Sequence, residues 1–170
     1  MTTANKLTLL RVALIPVFLV LLYLGLRWWA LAVFAAASLT DLLDGYIARH
    51  YNQITDFGKF MDPLADKMLV MAAMCYFVEA GELYGWVLAL VLLREFAVSG
   101  MRLVAVEQGR VIAAGWSGKV KTASTMVCLC LMLVISARWL NLACQAVILI
   151  STLYSGAEYF VKNRDVFKSA

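Results

Sequence analysis

The chain alternates between long apolar stretches and short polar connectors. Six apolar stretches are legible, at Thr8–Leu26, Trp28–Arg49, Asp62–Glu79, Tyr84–Glu107, Lys119–Ala137 and Trp139–Lys162. Each is near the ~20 residues that carry an α-helix across a bilayer. Only two prolines and ten glycines fall in the chain, so long helices form readily. Pro16 lies inside the first stretch, where a neighbouring helix can satisfy the freed backbone carbonyl. The first stretch has a charged start like a secretory signal, but no small-residue cleavage site follows it, so it is read as a span. The connectors are short and no internal repeat is visible. The pattern predicts an all-α integral membrane protein of six transmembrane helices, with residues 1–170 as one domain.

Composition strengthens this reading. Hydrophobic residues make up 64% of the chain and charged residues 15%, and mean hydropathy is +0.82. Soluble domains average about 45–50% apolar and ~25% charged residues. A chain this short cannot hide so much apolar surface in its own core. The solvent for that surface is therefore lipid.

The basic residues set the orientation. If six helices alternate, Lys6, Arg11, Arg49, Lys59, Lys67, Arg102, Arg110, Lys119, Lys121, Lys162, Arg164 and Lys168 share one side. Arg27 and Arg138 fall on the other side, and Arg94 lies within a span. The positive-inside rule makes the crowded side cytoplasmic and puts both termini there. A net charge of +4 then describes a basic face toward anionic headgroups, and no nucleic-acid surface is expected. The four cysteines all fall in spans. Cys128 and Cys130 sit about 200° apart around a helix, so they read as packing residues, as do Cys75 and Cys144. His50 has no second histidine to join it as a metal ligand and reads as solvated.

Four aspartates break the apolar pattern. Ionisable side chains at membrane depth are expensive and commonly mark a function. Asp41 and Asp44 are spaced i, i+3 at the end of the second stretch, so they share a face. Asp62 and Asp66 are spaced i, i+4 at the expected start of the third, with Pro63 suited to an early helical position. A 12-residue connector between the two helices lets the pairs meet. Four adjacent carboxylates repel unless cations lie between them, and oxygen-only ligands select Mg²⁺ or Mn²⁺. The bland account is helix capping and pairing with Arg49, Lys59 and Lys67. It suits either pair alone better than both at one depth. Gly45 and Gly58 add room for close approach, and Arg49 adds a cation one turn beyond Gly45. Metals, a cation and clearance together suit a diphosphate.

The stretch Asp41-Leu-Leu-Asp44-Gly45-Tyr-Ile-Ala48-Arg49, eight residues, Gly58-Lys-Phe-Met-Asp62-Pro-Leu-Ala-Asp66 resembles, without departure, the signature of the CDP-alcohol phosphotransferases. Further stretches are similar to the branch that forms phosphatidylglycerophosphate: Asn5–Arg11, Arg94-Glu95-Phe96, Gly100-Met-Arg102, Gly118–Thr122 and Glu158-Tyr-Phe. The resemblance implies a six-helix homodimer in the plasma membrane with a cytoplasmic active site. It implies CDP-diacylglycerol as donor and sn-glycerol 3-phosphate as acceptor. It also implies two Mg²⁺ ions (or Mn²⁺) per site, held by Asp41, Asp44, Asp62 and Asp66. Asp66 corresponds to the general base that activates the acceptor hydroxyl, and its spacing leaves a ligand role equally open. Gly45, Arg49, Thr55, Gly58, Asn5 and Thr8 match positions against the CDP-lipid.

An acceptor phosphate needs cations of its own. Arg94 within a span, together with Arg102, Lys119 and Lys121, supplies candidates, and Glu95 is placed to pair with one of them. The two lysines serve equally well as membrane-surface anchors. Arg94 favours a pocket, because anchors belong at the edge of the bilayer. Relatives that take inositol phosphate or phosphatidylglycerol share the aspartate motif. A divalent-cation channel or transporter would instead spread its acids along a crossing path.

Overall fold

The computed structural model describes residues 3–50, 56–109, 112 and 115–167. The side chains of 3–7, 41–50, 56–63, 66 and 166–167 lie outside that description. Six α-helices follow one another: α1 Thr3–Tyr23, α2 Arg27–His50, α3 Asp56–Glu79, α4 Gly85–Glu107, α5 Trp116–Val134 and α6 Arg138–Lys162. A short 3₁₀ turn, Arg164–Phe167, closes the chain, and no strand occurs among the described residues.

Helix starts differ from the sequence expectation, most at α1 and α3. Helix α1 begins at Thr3 rather than Thr8, because polar residues such as Asn5 and Lys6 end an apolar run without ending helical backbone. Helix α3 begins at Asp56 rather than Asp62. Asp62, Pro63 and Asp66 therefore lie inside a continuous helix, and Pro63 is not an early helical residue. Proline is tolerated within membrane helices where neighbours can satisfy the freed carbonyl. The 12-residue connector accordingly shrinks to residues 51–55, which lie outside the described residues.

The contacts divide the chain into two compact units, residues 1–77 and 78–170. In the first, α1 packs along α2. Phe18 and Phe34 meet with ring centroids 5.6 Å apart over a core that includes Leu22, Ala30 and Ala37. The α1–α2 reversal is a Schellman motif: Leu26 N–H donates to the Leu21 carbonyl and Gly25 N–H to that of Leu22. It requires a left-handed residue, which Gly25 supplies at φ 75°. Tyr76 of α3 donates its hydroxyl to the Leu22 carbonyl at 3.3 Å and meets Tyr23 edge to face, fastening α3 to the end of α1.

In the second unit α6 packs against both α4 and α5. Leu129, Met132, Cys144 and Ile148 fill the α5–α6 seam, and Ser124 and Ser151 face one another at 3.4 Å. Small residues of this kind let membrane helices approach closely. The outer faces carry large apolar side chains, among them Phe96 at 73% exposure and Ile150 at 67%. Helices α5 and α6 are long and apolar enough, as described, to cross a membrane.

Candidate functional site

The aspartate motif spans α2 and α3 of the first unit. Asp41 and Asp44 stand three residues apart on α2, and Asp62 and Asp66 four apart on α3, so each pair occupies one face of its helix. Gly45 and Arg49 follow on α2, and Gly58 precedes on α3. The side chains of all these residues lie outside the described set, as does that of Asn5 on α1, and Thr55 lies outside altogether. Among the described residues no cluster of three or more histidine, cysteine or acidic side chains is placed to hold a metal. The motif itself offers four carboxylates and no sulfur or nitrogen ligand, a donor set that fits hard divalent cations.

At this end of α2 the described residues of α1 include a tie, Arg11, and a buried hydroxyl, Thr8. Thr8 is fully buried, and Arg11 is buried to 1% exposure. Arg11 Nε donates to the Ala37 carbonyl at 3.1 Å, one helical turn before Asp41, and Thr40 Oγ1 donates to the same carbonyl at 2.7 Å. Arg11 counts in the sequence as a headgroup-facing charge. In the fold it is a clamp between helices.

The second unit assembles the basic residues. Arg94 and Glu95 lie midway along α4, and Lys121 lies in the second turn of α5. Glu95 Oε1 accepts from Arg94 Nη1 and from Lys121 Nζ, both at 2.8 Å. All three side chains are 5–13% exposed. One carboxylate thus binds two cations in a largely dry seam, leaving the triad one positive charge in excess. The sequence suggested one partner for Glu95 among four bases, and the structure gives it two, Arg94 and Lys121.

Arg94 is held further by α6. Its Nη2 donates to Ser155 Oγ at 2.6 Å, while its Nε is buried without a partner among the described residues. The groove for its stem is made by absent side chains. A methyl group on Gly156 would come within 3.3 Å of Arg94 Cγ, and one on Gly118 within 3.6 Å of Nη2. Arg102 docks one turn further along the same face of α6: its Nε donates to the Tyr159 hydroxyl at 3.1 Å, and its guanidinium lies 5.5 Å from that ring's centre. Ser155 and Tyr159 are four residues apart, so the two arginines meet α6 about 6 Å from one another. Lys119 stands aside, exposed, with its ammonium 6.0 Å from the centre of the Trp116 ring.

Arg94, Arg102 and Lys121 therefore converge on one α4–α5–α6 seam and Lys119 does not. Ser155, Gly156 and Tyr159 complete the seam; the first two escaped sequence reasoning, and Tyr159 stood there only within the Glu158-Tyr-Phe stretch. The signal was present as a small pair, Ser-Gly, one turn before an aromatic on α6. Chemically, the seam offers an anion the terminal nitrogens of Arg102, which have no protein partner among the described residues.

Comparison with known proteins identifies the family. The family model for CDP-alcohol phosphatidyltransferase matches residues 1–154. A protein of Bacillus subtilis (strain 168), named CDP-diacylglycerol–glycerol-3-phosphate 3-phosphatidyltransferase, is 38% identical, with 98% of this chain and 97% of the relative covered. One of Escherichia coli (strain K12), with the same name, is also 38% identical, over 90% of each chain. Two helices long and apolar enough to cross a bilayer mark a membrane protein, and the chain belongs to the CDP-alcohol phosphatidyltransferase family.

Proposed function

We propose that the protein transfers the phosphatidyl group of CDP-diacylglycerol to sn-glycerol 3-phosphate, giving phosphatidylglycerophosphate and CMP. It acts as one six-span domain with both termini and the active site on the cytoplasmic side of the plasma membrane, as a homodimer. The names of relatives covering nearly the whole chain support the reaction. The observation that carries the acceptor assignment is the buried Arg94–Glu95–Lys121 triad with Arg102 beside it. A phosphate dianion is the ligand such an excess of buried positive charge suits.

Asp41, Asp44, Asp62 and Asp66 would hold two Mg²⁺ ions, or Mn²⁺. When bound, these neutralise the diphosphate and the charge that develops on the departing nucleotide. Gly45, Gly58, Arg49, Thr55, Asn5 and Thr8 line the CDP-lipid. Arg94, Arg102 and Lys121 seat the acceptor's phosphate, and Lys119 adds positive charge on the same helix as Lys121. Asp66 takes the proton from the acceptor's free hydroxyl. The oxygen then bonds to the β-phosphorus, the bond from β-phosphorus to the bridging oxygen breaks, and CMP leaves with that oxygen. General-base assistance contributes typically ~10²–10⁴-fold, and the rest comes from placement and charge.

The test is purified protein with Mg²⁺ and CDP-diacylglycerol, offered glycerol 3-phosphate, inositol phosphate, serine and phosphatidylglycerol in separate reactions. CMP release is expected with glycerol 3-phosphate. Release with inositol phosphate or phosphatidylglycerol alone would move the protein to another branch of the family. Metal flux across vesicles without CMP release would favour a channel.

A further inference from the structure

The Ala37 carbonyl lies one turn before the aspartate motif and receives more donors than a helical carbonyl needs. Helix α2 runs unbroken from Arg27 to His50. In an α-helix the carbonyl of residue 37 is the acceptor for the N–H of residue 41, which here is Asp41. The same oxygen also accepts from Thr40 Oγ1 at 2.7 Å and from Arg11 Nε at 3.1 Å. A carbonyl oxygen has two lone pairs. Three donors therefore share two acceptor positions, and a change in one is felt by the others.

The two side-chain donors differ in origin. Thr40 reaches back along its own helix, a bond that commonly bends the helix carrying it. Arg11 comes from α1, so its bond ties the course of α2 at this level to a second helix. Arg11 is 1% exposed and Ala37 fully buried, so water does not compete for the oxygen. A side chain inserted into the ladder of backbone bonds is a known cause of a local change in helix direction.

A simple tie between α1 and α2 does not call for an arginine. About two turns further along α1, Phe18 and Phe34 already fasten the same pair, with ring centroids 5.6 Å apart. Burying a cation is costly, and an apolar contact of that kind would join the helices without it. What an apolar contact cannot do is donate to the carbonyl that also holds the Asp41 N–H.

We propose that Arg11 is a positioning residue for the metal site. Through the Ala37 carbonyl it sets the backbone that carries Asp41, and with it the affinity of the aspartate motif for divalent cations. The inference rests on Asp41 being a metal ligand. Residues that orient metal ligands without touching the metal typically change metal affinity by roughly 10–100-fold. Arg11 acts through backbone, so the lower end of that range applies.

Mn²⁺ binding by the full-length protein in detergent tests this, read from the electron paramagnetic resonance signal of the free ion, with CDP-diacylglycerol present and no acceptor. Arg11→Met removes the donor and should weaken Mn²⁺ binding about ten-fold. Arg11→Gln places its amide nitrogen as far along the side chain as Arg11 Nε, so it keeps a donor and loses the charge. A weakening of about three-fold is expected there, because a neutral donor makes the weaker bond. This variant reports even if the buried methionine unfolds the chain. Phe18→Leu loosens the same helix pair away from the motif, and should lower Tm while leaving Mn²⁺ affinity unchanged. Asp41→Asn, measured in parallel, should lose Mn²⁺ binding. Wild-type affinity in Arg11→Met, or in Arg11→Gln where the methionine variant does not fold, overturns the proposal. So does an equal loss in Phe18→Leu, which would make Arg11 a structural tie. If Asp41→Asn binds Mn²⁺ as the wild type does, the metal reading itself fails and the role of Arg11 falls with it.

Discussion

The Glu95→Gln substitution tests the basic seam directly. It keeps the shape of the side chain and removes the charge that holds Arg94 and Lys121 together. Both nitrogens lie 2.8 Å from one oxygen, so they can be at most about 5.6 Å apart. Two unit charges at that separation repel by roughly 3 kcal/mol at an effective dielectric of ~20. Breaking a buried ion pair by removing one partner costs about 3–5 kcal/mol, and the two estimates agree. For a chain of this size 3 kcal/mol corresponds to a fall in Tm of about 6–12 °C. Thermal unfolding in a fixed detergent measures it. The repulsion vanishes when one cation is also neutralised, so Glu95→Gln in a Lys121→Gln background should be milder than in the wild type. Glycerol 3-phosphate supplies negative charge to the freed cations and should stabilise the single variant more than it does the wild type. A fall in Tm under about 2 °C, or equal effects in both backgrounds, would refute the claim that Glu95 holds two cations in a dry seam.

The helices were legible because long apolar runs with few breaks favour helix, and a residue such as Phe96 or Ile150 is apolar whichever way it faces. Helix starts were less so. Hydropathy ends where polar residues begin, whereas the backbone of α1 continues to Thr3 and that of α3 to Asp56. Pro63 misled for a physical reason: its position after Asp62 imitates a helix start, a rule drawn from water, where an interior proline loses more. The four aspartates stood out because no apolar account explains acids within such apolar stretches. Arg11 did not. Its partner is a backbone carbonyl 26 residues away, and a rule that counts charges assigns every arginine to the headgroups. The pairing of Glu95 with both cations depends on α4 and α5 meeting over α6, a long-range fact that no local spacing encodes. Gly156 shows the same limit, since its lack of a side chain matters only because Arg94 lies across it.

Gly156→Ala places a methyl group 3.3 Å from Arg94 Cγ; overpacking of this kind costs typically 1–3 kcal/mol. A lowered Tm and a several-fold higher KM for glycerol 3-phosphate are expected, with Gly118→Ala, at ordinary contact distance, close to wild type. Asp41→Asn or Asp62→Asn should abolish CMP release and weaken CDP-lipid binding in Mg²⁺, as should chelation of the metal. Asp66→Asn should stop turnover while sparing much of the donor affinity, and equal loss of binding would make Asp66 chiefly a metal ligand. Arg94→Ala separates a phosphate site from a structural strut. Its terminal nitrogens are engaged by Glu95 and Ser155 and its Nε is enclosed, so a bound phosphate takes over one of these bonds. One charge-assisted bond contributes roughly 1.5–3 kcal/mol, or about 10- to 150-fold in affinity. The KM for glycerol 3-phosphate should rise by that factor and the KM for CDP-diacylglycerol should stay within about two-fold of wild type. Arg94→Lys should recover only part of the loss, because an ammonium cannot reach Glu95, Ser155 and the phosphate at once in the fork that a guanidinium provides. If both KM values rise together, or if only Tm falls, Arg94 braces α4 against α6 and the acceptor's phosphate binds elsewhere.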